Sequence, residues 1–118
     1  MSLKRNIVIY IIYMTIGTIY MICSDVSDQF YIGATINFKN NVRMWRHKQN
    51  CTNPNNPKHN YKIYKHIRDN GGWKEWNIYP IDMIDFTDRK ELLQLEKEWI
   101  MMLKPRLNSK YPKKMLLD

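Results

Sequence analysis

Cysteine is scarce in this chain, with Cys23 and Cys51 its two thiols. Two are too few to build a secreted disulfide scaffold, and the expected setting is a reducing, intracellular one, cytoplasm or nucleus. Acidic residues are also in short supply, 11 against 19 lysines and arginines, which leaves a net charge of +8. Such a surface favours a polyanionic partner, either nucleic acid or an anionic membrane face. Internal repeats and low-complexity tracts are missing too. At 118 residues the chain is expected to be one small domain with a modest core and no room for a second module.

A long hydrophobic run is almost present. Lys4-Arg5 precede a mostly apolar stretch from Ile7 to Cys23, which at 17 residues is marginal for crossing a bilayer. Tyr10, Tyr13, Thr15, Gly17 and Thr18 interrupt it, no small-residue cleavage site follows, and its Ile, Val and Tyr content is that of strands. The expectation is a strand-forming segment of a soluble domain, with a membrane anchor as the alternative. Residues 1–16 form an apolar N-terminal extension to which no role is assigned.

The elements read in the order β, β, α, α, β, α. Strands from about Thr18 to Cys23 and Phe30 to Thr35 flank the polar Ser24-Asp25-Val26-Ser27-Asp28-Gln29 turn, giving a β-hairpin. Asn37 is placed to cap a helix from about Phe38 to Gln49, with Phe38, Val42 and Trp45 on the face toward the sheet. Lys39, Arg43, Arg46 and His47 fall on a basic flank of that helix. Asn50 to Asn60, with Pro54 and Pro57, is a loop. A second helix from about Tyr61 to Asn70 buries Ile63, Tyr64 and Ile67, exposes Lys62, Lys65 and Arg68, and stops at Gly71-Gly72. Trp76 to Asp85 reads as a third strand, in which Pro80 calls for an edge position or a bulge. Thr87 or Asp88 opens the last helix, Glu91 completes a capping box, and Pro105 ends it. The architecture expected is a small three-stranded antiparallel sheet flanked by helices, an α/β or layered α+β domain.

Four kinds of side chain carry candidate chemistry. Glu96 falls inside the apolar arc of Leu92, Leu93, Leu95, Trp99, Ile100, Met102 and Leu103. A carboxylate aimed at a core needs compensation, and a divalent cation with its waters supplies it, magnesium typically taking one or two protein carboxylates. The plainer alternative is a rim-exposed or an arginine-paired glutamate. Arg43 and His47, four apart, share one helix flank. A guanidinium can meet two phosphate oxygens at once, and a histidine one turn on can relay a proton or simply touch a phosphate. Tyr20 and Tyr31, on adjacent strands, are either ordinary core phenols or groups that orient a water. His47, Cys51 and His59 are the remaining candidate metal-ligand set, but their spacing fits no usual zinc pattern.

Gly17-Thr18-Ile19-Tyr20 followed by Tyr31-Ile32-Gly33 resembles the paired tripeptides of the GIY-YIG nuclease superfamily, with Thr18 standing where the name-giving glycine would be. The resemblance continues through Arg43-Met44-Trp45-Arg46-His47, Leu95-Glu96-Lys97-Glu98-Trp99-Ile100 and Lys104-Pro105-Arg106-Leu107-Asn108, spanning residues 17–108. The Tyr61–Trp76 region is similar to that of viral and mobile-element members, and the interval from Tyr31 to Arg43 is longer than in short members. The resemblance implies a magnesium- or manganese-dependent endonuclease that hydrolyses DNA phosphodiester bonds. It implies Tyr20 as base or water-orienting group, Tyr31 as its partner, Arg43 as transition-state stabiliser with Arg46 as its substitute, and His47 as proton relay. Glu96 would be the metal ligand and Asn108 a positioning group.

With acids so few, one metal ion beside Arg43 suits the chain better than two. DNA affinity is expected from Lys39, Arg46, Lys62, Lys65 and Arg68, and from the basic tail at 109–118 with Lys110, Lys113 and Lys114. Such contacts are blind to sequence, so specificity would come from a partner, a homodimer or an unusual DNA structure. A DNA-binding protein that has lost catalysis is the rival reading.

Overall fold

The computed structural model describes residues 15–109. The expectations for residues 1–14, for the start of the apolar run, and for the basic tail from Lys110 lie outside the described residues. Strand β1 (Thr15–Ser24) and strand β2 (Ser27–Ile36) form an antiparallel hairpin closed by Asp25 and Val26 alone. Both strands run further than expected, because Ser24 still pairs with Ser27 and each serine hydroxyl accepts a backbone N–H two residues on. β1 takes in Thr15 and Ile16, so the run that could have been read as an anchor is, from residue 15, the middle strand of a sheet. Among the described residues no helix is long and apolar enough to cross a membrane.

Strand β3 (Asn77–Phe86) pairs antiparallel to the other side of β1, giving the order β2-β1-β3. Ile19 pairs with Asp82 and Tyr20 with Pro80, so Ile81 is the extra residue of a bulge. Pro80, with no N–H to give, therefore has both the edge strand and the bulge that its presence called for.

Helix α1 (Val42–Thr52) corrects the expected helix from Phe38. Phe38–Asn40 form a single 3-10 turn, and Asn37 and Asn41 lie in the left-handed region at φ 56° and 61°. Asparagine tolerates that conformation, and here it restarts the helix in a new phase. The sheet-facing residues are consequently His47 and Cys51, while Val42 and Trp45 point outward, Trp45 being 60% exposed. Phe38 still reaches the core, but from the 3-10 turn.

Helix α2 (Lys62–Asp69) buries Ile63, Tyr64 and Ile67 as its periodicity predicts, and Gly71 and Gly72 end it with φ of 91° and 79°. Helix α3 (Arg89–Leu103) starts at Asp88, whose carboxylate accepts from the Lys90 N–H, and ends at left-handed Lys104 ahead of Pro105. Its apolar arc is narrower than expected: Leu92 and Ile100 are buried, whereas Leu93 and Met102 face solvent. A helix lying on a flat sheet covers about a 100° stripe, which leaves these two flanking positions outside.

Two cores result, one on each face of the sheet. Tyr20, Ile22, Cys51, Ile63, Tyr64, Ile67, Trp76 and Leu107 pack under α1 and α2. Ile19, Ile32, Phe86, Leu92 and Ile100 pack under α3. The segment after α3 crosses the outer edge of β2: Leu107 N–H donates to the Phe30 carbonyl, and the Asn108 amide both accepts from Ile32 N–H (2.9 Å) and donates to the Ile32 carbonyl (2.8 Å). β2 is thus covered along its Phe30–Ile32 edge, and its Ala34–Ile36 end is left to line a cleft.

Candidate active site

Pairing places Tyr20 opposite Gly33 and Tyr31 opposite Ile22, so the two phenols lie diagonally on the same sheet face with ring centres 6.4 Å apart. A β-carbon at Gly33 would run into the Tyr20 phenol itself. The second tripeptide therefore needs its glycine for the tyrosine of the first. Gly17, on the opposite face, makes way for the Leu92 side chain instead.

Below the phenols stands His47, 5% exposed and bonded at both nitrogens, Nε2 to the Tyr20 hydroxyl (2.7 Å) and Nδ1 to the Tyr64 hydroxyl (2.8 Å). Asn50 Nδ2 donates to the Tyr64 oxygen at 3.1 Å. This corrects the view of His47 as one of a solvated basic flank; the change of helix phase at Asn41 turned it inward. Burial, then the charges of Arg43 and Lys58, lower its pKa from 6.5 to about 4, so at neutral pH it is an uncharged imidazole with one N–H. Burial raises Tyr20 well above the usual phenol value, followed by Tyr31 in the same direction, with Arg43 opposing. Burial and then the Glu96 charge push Tyr31 up to about 12.

Glu96 comes from the other side of the sheet. It reaches the same region because β2 is an edge strand, past whose open end α1 and α3 face one another. Between them lies a cleft of about 400 Å³ whose lining includes Thr35, Arg43, Arg46, Arg89, Leu92 and Glu96. Burial raises the Glu96 carboxyl from its ordinary value, with Arg43 and then Lys97 drawing it back. The Arg43 charge is felt by Tyr20, Tyr31, Tyr64, His47 and Glu96, and its side chain lines both a small pocket with Tyr20 and the cleft with Glu96. Arg46 lines the cleft further out and is exposed.

The remaining expected residues separate. Lys39, Lys62 and Lys65 are exposed. Arg68 is not a free surface cation, because its guanidinium donates to the Cys51 and His59 carbonyls at 3.0 and 2.8 Å. Asn108 is spent on Ile32, next to Tyr31, and acts on the site by fixing the β2 backbone. The Cys51 thiol donates to the Tyr64 carbonyl and His59 Nδ1 engages the Asn50 carbonyl, so these two and His47 serve different partners. Tyr64, Asn50 and Arg89 escaped the sequence reading. Tyr64 read as one more apolar helix position, and nothing in its spacing marked the hydroxyl.

The model of the GIY-YIG catalytic domain matches residues 16–111, most of the chain. The chain belongs to the GIY-YIG family. Its three-stranded antiparallel sheet with three helices is consistent with the fold of that family, whose members are endonucleases. No curated protein and no solved structure matches the chain significantly.

A divalent metal ion fits the residues present. Glu96 is a half-buried carboxylate with no hydrogen bond or ion pair to any described residue, facing a cleft roomy enough for an ion and its waters. Among the described residues no three His, Cys, Asp or Glu side chains come together, and Glu96 is the one carboxylate in the lining of the cleft, so the donors on offer there are this carboxylate and water. That is a set magnesium or manganese accepts.

Proposed function

We infer that the chain is a divalent-metal-dependent endonuclease that hydrolyses DNA phosphodiester bonds, with low intrinsic sequence preference. The observation that supports it is the convergence of Arg43, a neutral His47, two phenols and a lone carboxylate at one end of β2, from both faces of one sheet.

In this reading DNA enters the cleft along Arg46 and Arg89, with Lys39, Lys62 and Lys65 adding sequence-blind attraction. Arg43 meets the scissile phosphate, where its fixed charge opposes the negative charge that builds on the non-bridging oxygens. Tyr20 is 1% exposed and has almost no surface to offer a water, whereas Tyr31 is half-buried and feels Glu96 strongly. The roles of the phenols therefore exchange relative to the sequence expectation. Tyr31 takes the proton of the attacking water, Tyr20 takes that of Tyr31, and His47 receives the last at Nε2 while its Nδ1–H donates to the Tyr64 oxygen. Arg43 is one of the groups that hold the imidazole neutral. A phosphodiester bound at Arg43 offsets that charge and raises the proton affinity of His47 when it is needed. A metal ion held by Glu96 would supply further neutralisation at the phosphate as the bond to the departing oxygen breaks, and that oxygen takes its proton from solvent water.

The test is nicking of supercoiled plasmid by the full chain with and without magnesium. The wild type is expected to nick only with the ion, and Glu96→Ala to be slower by about a thousandfold, the scale of losing one dominant charge-stabilising group. Equal nicking by both proteins, or none by either, ends this reading.

A further inference from the structure

A second groove opens on the outer side of α1. It has a volume of about 400 Å³ and is lined by Trp45, Arg46, Gln49, Asn50, Asn53, Asn56 and Lys58. Trp45 is more than half exposed, and Arg46 and Lys58 are exposed beside it, while the four amide side chains are half-buried. Arg46 also lines the cleft that holds Arg43 and Glu96, so this side chain borders both grooves.

The groove is a built structure. Asn53 Oδ1 accepts the Asn55 N–H and Asn56 Oδ1 accepts the Lys58 N–H, while the Asn56 and His59 N–H groups close backbone turns. Arg68 ties the loop to α1 through the Cys51 and His59 carbonyls. With their oxygens turned to the loop, Asn53 and Asn56 have Nδ2 without a partner among the described residues, and Gln49 has both ends of its amide free of them. A rigid loop presenting amide donors beside a flat exposed indole and two cations has the chemistry of a base site. Stacking holds the ring, amides meet its edge, and cations follow the backbone.

We propose that this groove holds one unpaired base of the DNA strand lying in the cleft, stacked on Trp45 and met at its edge by Gln49, Asn53 and Asn56. The proposal deepens the nuclease reading, since it takes the strand as passing Arg46 from one groove to the other. It gives a chain of low specificity a preference at one position near the cut.

The test is binding of the full chain, in a chelating buffer that prevents cleavage, to two labelled single-stranded dodecamers. One carries bases and the other is the same backbone without them, so the phosphates are equal. The wild type is expected to bind the base-bearing strand about tenfold more tightly, Trp45→Ala to lose that difference, and Trp45→Phe to keep most of it. Asn53→Ala with Asn56→Ala is expected to level the preferences among the four homopolymer strands. Equal binding of both strands by the wild type, or an undiminished difference in Trp45→Ala, overturns the proposal. Failure to bind either strand overturns it together with the DNA reading. A Trp45-dependent base preference in a chain that never nicks plasmid supports the groove and sinks the nuclease alone.

Discussion

Under α1 and α2 the sheet buries Tyr20, His47 and Tyr64 in one hydrogen-bonded line, whereas under α3 it buries Ile19, Ile32, Phe86, Leu92 and Ile100, with no polar group among them. A buried polar group left without a partner costs about 1–3 kcal/mol, so each member of the first set fixes the position of the next. Among the described residues no buried side-chain nitrogen or oxygen lacks a partner. Hydrocarbon packing sets no such orientation, and the α3 face keeps its polar groups at its margins, Glu96 and Arg89 at the cleft and Trp99 Nε1 donating to Asp82 Oδ2 at 2.9 Å. One face supplies geometry and the other supplies burial and a charge. β2, an edge strand between them, lets the two meet.

Adding one methyl group to each face probes this difference most strongly. In Gly33→Ala the new carbon meets the phenol of a buried, doubly constrained tyrosine; a stability loss of about 3 kcal/mol and a drop in nicking of about a hundredfold are expected from urea titration and plasmid assay. In Gly17→Ala it meets the methyl ends of Leu92 and the edge of the Phe86 ring, apolar groups that no hydrogen bond fixes, and a loss of about 2 kcal/mol with little change in rate is expected.

Acid separates the faces by almost as much. The unfolded chain protonates His47 near 6.5 and the folded chain only near 4, so the unfolded state binds the extra proton between those values. Stability is therefore complete above pH 6.5 and falls as the pH drops toward 4, by on the order of 3 kcal/mol for this group. Glu96 has the opposite sign, because its raised carboxyl holds a proton to higher pH when folded and loses stability as the pH rises. Urea titrations across this range in Glu96→Gln isolate the histidine, and the further change His47→Gln is expected to flatten the slope.

The edge itself gives the smallest effect. Asn108→Ala removes both bonds to Ile32 and is expected to cost about 2 kcal/mol, lowering the melting temperature by roughly 10 °C with less than a tenfold loss of nicking under folded conditions.

Much of this difference between faces was legible in the residues. The strand order β2-β1-β3 is a long-range pairing that the residues leave open, but the hairpin, the edge position or bulge at Pro80, the buried trio of α2 and the odd placement of Glu96 all follow from local pattern, because each depends on residues close in sequence. The orientation of α1 does not, since it depends on the left-handed turn at Asn41, which a periodicity count steps over. His47 and Trp45 exchanged sides as a result. Tyr64, Asn50 and the bonding of Arg68 were hidden for a related reason: each acts through a contact with a distant segment, and a hydroxyl or guanidinium looks the same in sequence whether it meets water or a carbonyl.

The central claim, that groups from both faces act as one site across the end of β2, is tested most directly by a double-substitution cycle on the single-turnover nicking rate. Tyr31→Phe and Glu96→Gln would be measured separately and together. If they serve one transition state, the doubly substituted chain is slower than the worse single variant by no more than about threefold. Losses that multiply in full would show two independent sites and contradict the account.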